Sequence, residues 1–226
     1  MAAQAHDSRN FFLMGPVGRL EAILWKPALP NSPPVAAVVC HPHPLFGGTM
    51  HNKVVYQTAK SLDALGIPVL RFNFRGAGLS AGEHDRGVGE QGDVRTALDF
   101  LISEFPGTPL LLAGFSFGST VGLRVGCQTA EVSHMIGLGI PVNNADMSFL
   151  LRCDKPKLFV HGSEDEHGEP EKVKALIASL APHENKLVIV EGVDHFFAGK
   201  LDGLNRAITE WITAEYPELK NNAFRG

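Results

Sequence analysis

The feature that most constrains this chain is an alternation of short, largely apolar runs with segments of helical period. The apolar runs are Val35–Cys40, Val69–Phe74, Leu110–Ala113, Met135–Ile140, Leu158–His161 and Lys186–Val190. The helical-period segments lie near Asn52–Leu65, Glu90–Glu104, Phe117–Thr129, Glu169–Leu180 and Leu201–Glu215. A strand that is apolar on both sides has to be covered on both faces, and a parallel neighbour is reached only through a crossover. The pattern therefore predicts an α/β fold, a doubly wound and mostly parallel central sheet with helices on both faces. Ahead of it, Asn10–Met14 and Arg19–Trp25 flank Gly15-Pro16-Val17-Gly18, which predicts an antiparallel hairpin at the sheet edge, followed by a proline-rich connector, Pro27 to Pro34. No repeat of about 20 to 50 residues breaks this rhythm, so one domain over 1–226 is expected.

Composition bounds the partners. With 44% apolar residues and 19% charged, the chain reads as an ordinary globular protein. A net charge of −4 without clustered Lys and Arg gives no footprint for nucleic acid. No apolar run approaches the roughly 18 residues of a membrane-spanning helix, so no membrane partner is expected. The start, MAAQAHDSRNFFLMG, lacks the continuous apolar segment of a signal peptide, and a cytoplasmic location is expected. Three widely spaced cysteines, Cys40, Cys127 and Cys153, form no C-x-x-C pair and read as free thiols, with Cys40 as core packing.

The chemistry-bearing residues sit where the strands end. Gly114-Phe115-Ser116-Phe117-Gly118 directly follows one strand and opens a helix. In that context G-x-S-x-G is a tight turn whose flanking positions leave no room for a Cβ, with the Ser116 hydroxyl exposed above the sheet. An incidental serine in a glycine turn is the bland alternative. A serine hydroxyl needs a base. His195, in Val193-Asp194-His195-Phe196-Phe197, follows the last strand and so lies at the same sheet edge as Ser116. A base in turn needs a group that orients it, and His161-Gly162-Ser163-Glu164-Asp165-Glu166 offers three carboxylates after the preceding strand. Asp194 is discounted because neighbours at a strand end point apart.

The order serine, acid, histidine and two further runs carry a resemblance. The sequence resembles the α/β-hydrolase superfamily over nearly its whole length. More narrowly it resembles small, capless bacterial serine hydrolases with the run C-H-P-H-P-L-F-G-G-T-M, Cys40 to Met50, and F-N-F-R-G-x-G-x-S-x-G, Phe72 to Gly82. The resemblance implies a triad of Ser116, Asp165 and His195, because Asp165 stands at the family's distance past the glycine turn. Glu164 and Glu166 are then expected to face solvent. It also implies an oxyanion hole with the Phe117 backbone N–H as one donor. The second comes from the loop starting at His41; Pro42 and Pro44 have no N–H, which leaves His43, Leu45 or a nearby residue. Phe46, Phe115 and Phe196 are expected to bind substrate, with Phe197 as further aromatic surface.

Two competing motifs are weaker. His41-Pro42-His43 suggests a metal site, but no further ligands converge with it in the spacing, so no metal and no cofactor are expected. The run Gly76 to Ala81 after a strand suggests a dinucleotide loop, but Gly82, Gly87, Gly89 and Gly92 interrupt the helix that would hold a pyrophosphate. A structural loop tied down by Arg75, Asp85 and Glu90 is the expectation. The function implied is hydrolysis of short-chain carboxylic esters through an acyl-enzyme, with a small-molecule ester as partner and assembly as a homodimer left open. Thioester hydrolysis, acyl transfer and peptide cleavage use the same groups, and a non-catalytic binding protein on this fold is the reading from another class. The link Pro141 to Lys157 is too short for the multi-helix lid with which relatives select long acyl chains, so an open, shallow cleft is expected.

Overall fold

A computed structural model describes residues 6–27, 33–180 and 185–220. Eight strands, His6–Gly15 (β1), Gly18–Pro27 (β2), Ala36–Cys40 (β3), Val69–Phe72 (β4), Leu110–Phe115 (β5), Val132–Leu138 (β6), Lys157–Gly162 (β7) and Asn185–Val190 (β8), form one sheet in the order β1-β2-β4-β3-β5-β6-β7-β8. The first two are antiparallel, β2 meets β4 antiparallel, and every later pairing is parallel. The hairpin is longer than its apolar runs, because its ladder pairs from Gly15 with Gly18 out to His6 with Pro27. The middle of the expected connector, residues 28–32, lies outside the described residues.

Five helices cross over between the strands: Lys53–Ala64 (α1), Glu90–Glu104 (α2), Phe117–Gln128 (α3), Pro170–Ser179 (α4) and Leu201–Glu215 (α5). The central strands alternate strictly. Val38, Cys40, Leu110 and Leu112 face the core under α2 and α3, while Ala37, Val39, Leu111 and Ala113 face the core under α1 and α5. All are 0% exposed, as a strand covered on both faces requires. Between β6 and β7 the chain holds only a single 3₁₀ turn, Ser148–Arg152, so no helical lid covers the sheet. No helix among the described residues is long and apolar enough to cross a membrane.

Two readings of the sequence are corrected here. Cys127 at the end of α3 and Cys153 after the 3₁₀ turn are joined in a disulfide, their Cα atoms 5.4 Å apart, within the ordinary range for such a bond. Chain spacing hid this, because the β6–β7 link folds back beneath the C-terminus of α3. Cys40 is free and buried, and burial pushes its thiol above the ordinary range. Arg75 does pin the glycine-rich loop, but its partner is Asp93, one turn into α2. Its Nε and Nη2 donate to both carboxylate oxygens at 2.7–3.2 Å, and its side chain is 7% exposed against 0% for Asp93. Asp85 and Glu90 instead accept backbone N–H groups within the loop. The Gly76–Ala81 segment is occupied from within: Glu21 on β2 accepts from the Leu79 N–H at 2.8 Å and from Asn73 Nδ2 at 2.7 Å.

Candidate active site

Because β3 and β5 to β8 run parallel, their C-terminal ends lie along one edge of the sheet. Ser116 follows β5 there and caps α3 with φ +54° and ψ −118°, a conformation a non-glycine residue adopts only where its surroundings enforce it. The Ser116 N–H donates to the Leu138 carbonyl at 2.9 Å. A Cβ at Gly114 would run into the backbone of Gly118, and one at Gly118 into the carbonyl oxygens of Cys40 and His41. Both glycines are therefore steric requirements of the turn.

The loop after β8 brings His195 over this turn. Ser116 Oγ donates to His195 Nε2 at 2.8 Å, and His195 Nδ1 donates to Asp165 Oδ2 at 2.8 Å. The acceptor-only carboxylate fixes the Nδ1–H tautomer, leaving Nε2 free to accept. His195 is 4% exposed and Asp165 3%. Asp165 Oδ1 accepts from the N–H groups of His167 at 2.8 Å and Gly168 at 3.1 Å. Burial pushes the Asp165 carboxyl up, but the hydrogen bond and charge of His195, the charge of His161 and the His167 amide outweigh it and hold the carboxyl below its ordinary value. Glu164 and Glu166 are exposed. Asp194 turns back on its own loop and accepts from the N–H groups of Phe196 and Ala198.

The loop after β3 closes the other side. His41 is fully buried; its Nδ1 donates to the Pro42 carbonyl at 2.6 Å and its Nε2 accepts from the Phe74 N–H at 2.9 Å. Burial lowers its pKa to about 4 despite the Pro42 bond, so the ring is neutral. His43 stands away from it, its ring 4.9 Å from Phe117 and 4.5 Å from His84. The two histidines of H-P-H thus face different partners and do not converge on one point. Desolvation, reinforced by His84, lowers the His43 pKa. The Leu45 N–H donates to His43 Nδ1 at 3.2 Å, while the Phe117 N–H opens α3, where amides have no intrahelical acceptor.

Ser116 and His195 open onto a cleft of about 1000 Å³, which Phe46, 87% exposed, and Phe196, 53% exposed, border. This is the upper end of small-molecule pockets, so the cleft is larger than the shallow one expected from the short link. Phe115 does not reach it. Its side chain, 0% exposed, packs beneath the His195 ring at 5.0 Å, because the alternation of β5 turns residue 115 to the face opposite the cleft. Phe197 is likewise core. The cleft wall also holds His84, Arg86, Arg124 and His167, none of which the motifs pointed to; His167 stands edge-on to His195 at 4.5 Å. Its one sequence signal was its place two residues past Asp165.

Comparison with known proteins bears on the family and the fold. A family described as "Alpha/beta hydrolase domain" matches residues 37–210. An uncharacterized protein of Rickettsia prowazekii (strain Madrid E) is 38% identical over 211 residues, covering 90% of this chain and 88% of that protein. Among solved structures, an a/b serine hydrolase without lid from Xanthomonas campestris superposes with a TM-score of 0.85 at 37% identity, covering 93% of this chain and 96% of the other. An alpha-beta serine hydrolase homologue from Coxiella burnetii gives 0.84 at 38% identity, covering 89% and 96%. By family match, relatives and lidless fold alike, the chain belongs to the α/β-hydrolase family.

Proposed function

We propose that this hydrolase cleaves carboxylic esters through an acyl-enzyme on Ser116, with His195 as general base and then general acid, and Asp165 as the group that orients and charges-balances the imidazole. The observation that supports this reading is the unbroken chain of two 2.8 Å hydrogen bonds from Ser116 Oγ through His195 to Asp165, opening on the cleft. Ser116 Oγ attacks the ester carbonyl while its proton passes to His195 Nε2; the alcohol leaves with that proton, and water repeats the cycle on the acyl group. The buried Asp165 carboxylate stabilises the imidazolium in between.

The developing oxyanion needs two donors. Phe117 N–H is one. For the other, His43 is preferred to Leu45, whose N–H is already given to the His43 ring. No peptide bond among the described residues is cis, and in a trans peptide the N–H points opposite the C=O. The Pro42 carbonyl is drawn toward the buried His41 ring, so the His43 N–H of the same peptide faces the other way. His41 thereby positions this donor.

A fluorophosphonate probe tests the reading. Stoichiometric labelling of Ser116, lost in Ser116→Ala and His195→Ala along with roughly 10⁴-fold or more of ester turnover, is the expected result. An unlabelled, well-folded wild type would sink it.

A further inference from the structure

Arg86 is held over the cleft in an unusual way. Its φ is +51°, one of three positive values at non-glycine residues among those described, the others being Ser116 and Phe197. Such a conformation strains an arginine, and a neighbouring carboxylate enforces it. Glu90, 0% exposed, accepts the Asp85 N–H on Oε1 and the Gly87 N–H on Oε2, both at 2.8 Å, clamping the chain on either side of Arg86. Asp85 in turn accepts the Gly89 N–H at 3.0 Å, and Asp93 is committed to Arg75. Apart from the exposed Glu83, the acids of this loop are therefore engaged by its backbone, by Arg75 or, for Glu90, also by His84 at 2.8 Å, while the Arg86 side chain lines the cleft without an ion pair among the described residues.

The rest of the cleft has the same sign. Arg124 stands on its wall, 4.3 Å above the Phe149 ring, and donates to the Asp146 carbonyl at 3.0 Å. Asp146 is the sole carboxylate among the described residues that line the cleft, and its Oδ1 is taken by the Ser148 N–H at 2.9 Å. A chain with net charge −4 thus places two arginines against one acid around its candidate nucleophile, and because that acid's Oδ2 lies 3.7 Å from Arg124, Arg86 is the arginine left to an incoming anion. The cleft also exceeds what a short acyl group fills. We infer that the ester cleaved at Ser116 carries an anionic group, a carboxylate or a phosphate, away from the scissile bond, and that Arg86 binds it. This rests on the proposed serine esterase reading. A guanidinium suits either anion, since its planar fork matches both.

Paired esters test it. 4-Nitrophenyl hemisuccinate is compared with its neutral methyl ester, and 4-carboxyphenyl and 4-phosphonooxyphenyl butyrate with neutral 4-methoxycarbonylphenyl butyrate; the carboxyl and phosphoryl arms separate the two anions. For at least one pair, Arg86→Glu is expected to lower the anionic-to-neutral ratio of kcat/KM by about tenfold, mainly through KM, with Arg86→Lys keeping most of it. Comparing variants on the same esters cancels leaving-group differences. Raising salt to about 0.5 M is expected to shrink the wild-type ratio, and Arg95→Ala, an exposed arginine on α2 away from the cleft, to leave it unchanged. A ratio identical in wild type and Arg86→Glu for every pair would overturn the inference. If no ester at all is turned over, the esterase reading has failed separately. The anion site is then read by titrating Ser116→Ala with 4-nitrophenyl hemisuccinate and with inorganic phosphate; binding at least about fivefold weaker in Ser116→Ala/Arg86→Glu supports the site, and equal binding overturns it.

Discussion

The Asp165 carboxylate is surrounded by donors: the His195 ring on one oxygen, the amides of His167 and Gly168 on the other. Asp165→Asn keeps the shape but presents an amide that favours the wrong imidazole tautomer, so kcat is expected to fall roughly 10³- to 10⁴-fold. Glu164→Gln and Glu166→Gln, both at exposed positions, are expected to stay within about twofold of wild type. Steady-state kinetics of the three variants decides, and a dead Glu164→Gln enzyme would relocate the acid. His41 yields a second prediction, on stability. Its pKa is lowered from 6.5 to about 4 in the folded chain. Between those values the unfolded chain binds the extra proton, so the contribution is fully present above about pH 6.5 and is lost as the pH falls toward 4, on the order of 3 kcal/mol. His161, lowered mainly by burial, acts in the same direction. Urea denaturation at a series of pH values is expected to show this loss, with a shallower slope in His41→Asn; equal slopes would remove His41 as the cause.

At the scale of elements, the junction of β5 with α3 couples packing to chemistry. The first turn of α3 approaches the end of β3 so closely that a methyl group at residue 118 would meet two backbone carbonyl oxygens, which cannot move as a side chain could. Gly118→Ala is expected to destabilise the protein by roughly 1–3 kcal/mol and to reduce hydrolase turnover further, by displacing Ser116 and the Phe117 amide together. Thermal denaturation and kcat measured on the same preparation check both effects, and an active variant of unchanged stability would contradict the steric account. The loop between β4 and α2 is held by a different device, the buried Arg75–Asp93 pair and the Glu90 clamp. That device positions Arg86 without using a regular element.

For the whole molecule, the disulfide closes a separation of 26 residues between α3 and the β6–β7 link, a length for which loop-closure entropy gives roughly 3 kcal/mol. Thiol titration of the oxidised, denatured protein is expected to find one reactive cysteine, Cys40, and Cys127→Ser/Cys153→Ser to lose about 2–4 kcal/mol of stability. Three thiols titrating without reductant would show the bond absent. On the proposed ester chemistry, the open sheet edge is expected to limit the acyl group. With only the turn Ser148–Arg152 between β6 and β7, no lid closes over the cleft to bury a long chain. Hydrolysis of 4-nitrophenyl esters is expected to peak at about two to six acyl carbons, without activation at a lipid–water interface. A peak at dodecanoate or longer would refute this.

What the sequence determined alone was whatever depends on short-range geometry. Apolar runs of strand length between helical periods identified β3 to β8 and α1 to α5 to within a few residues. Glycines at 114 and 118 marked the turn that exposes Ser116, and the parallel sheet placed the segments carrying Ser116, Asp165 and His195 at one edge. Tertiary structure decided what depends on contacts between distant segments. Which of three adjacent acidic residues faces inward was set by the amides of His167 and Gly168 closing on Asp165. Phe115 became core and Phe46 rim because strand alternation and the loop after β3 turned them to different surroundings. The pairing of Cys127 with Cys153, and of Arg75 with Asp93, followed from elements packed together far apart in the chain. A local pattern encodes backbone conformation directly, whereas the partner of a side chain is fixed only once the crossovers have brought remote residues within a few ångströms.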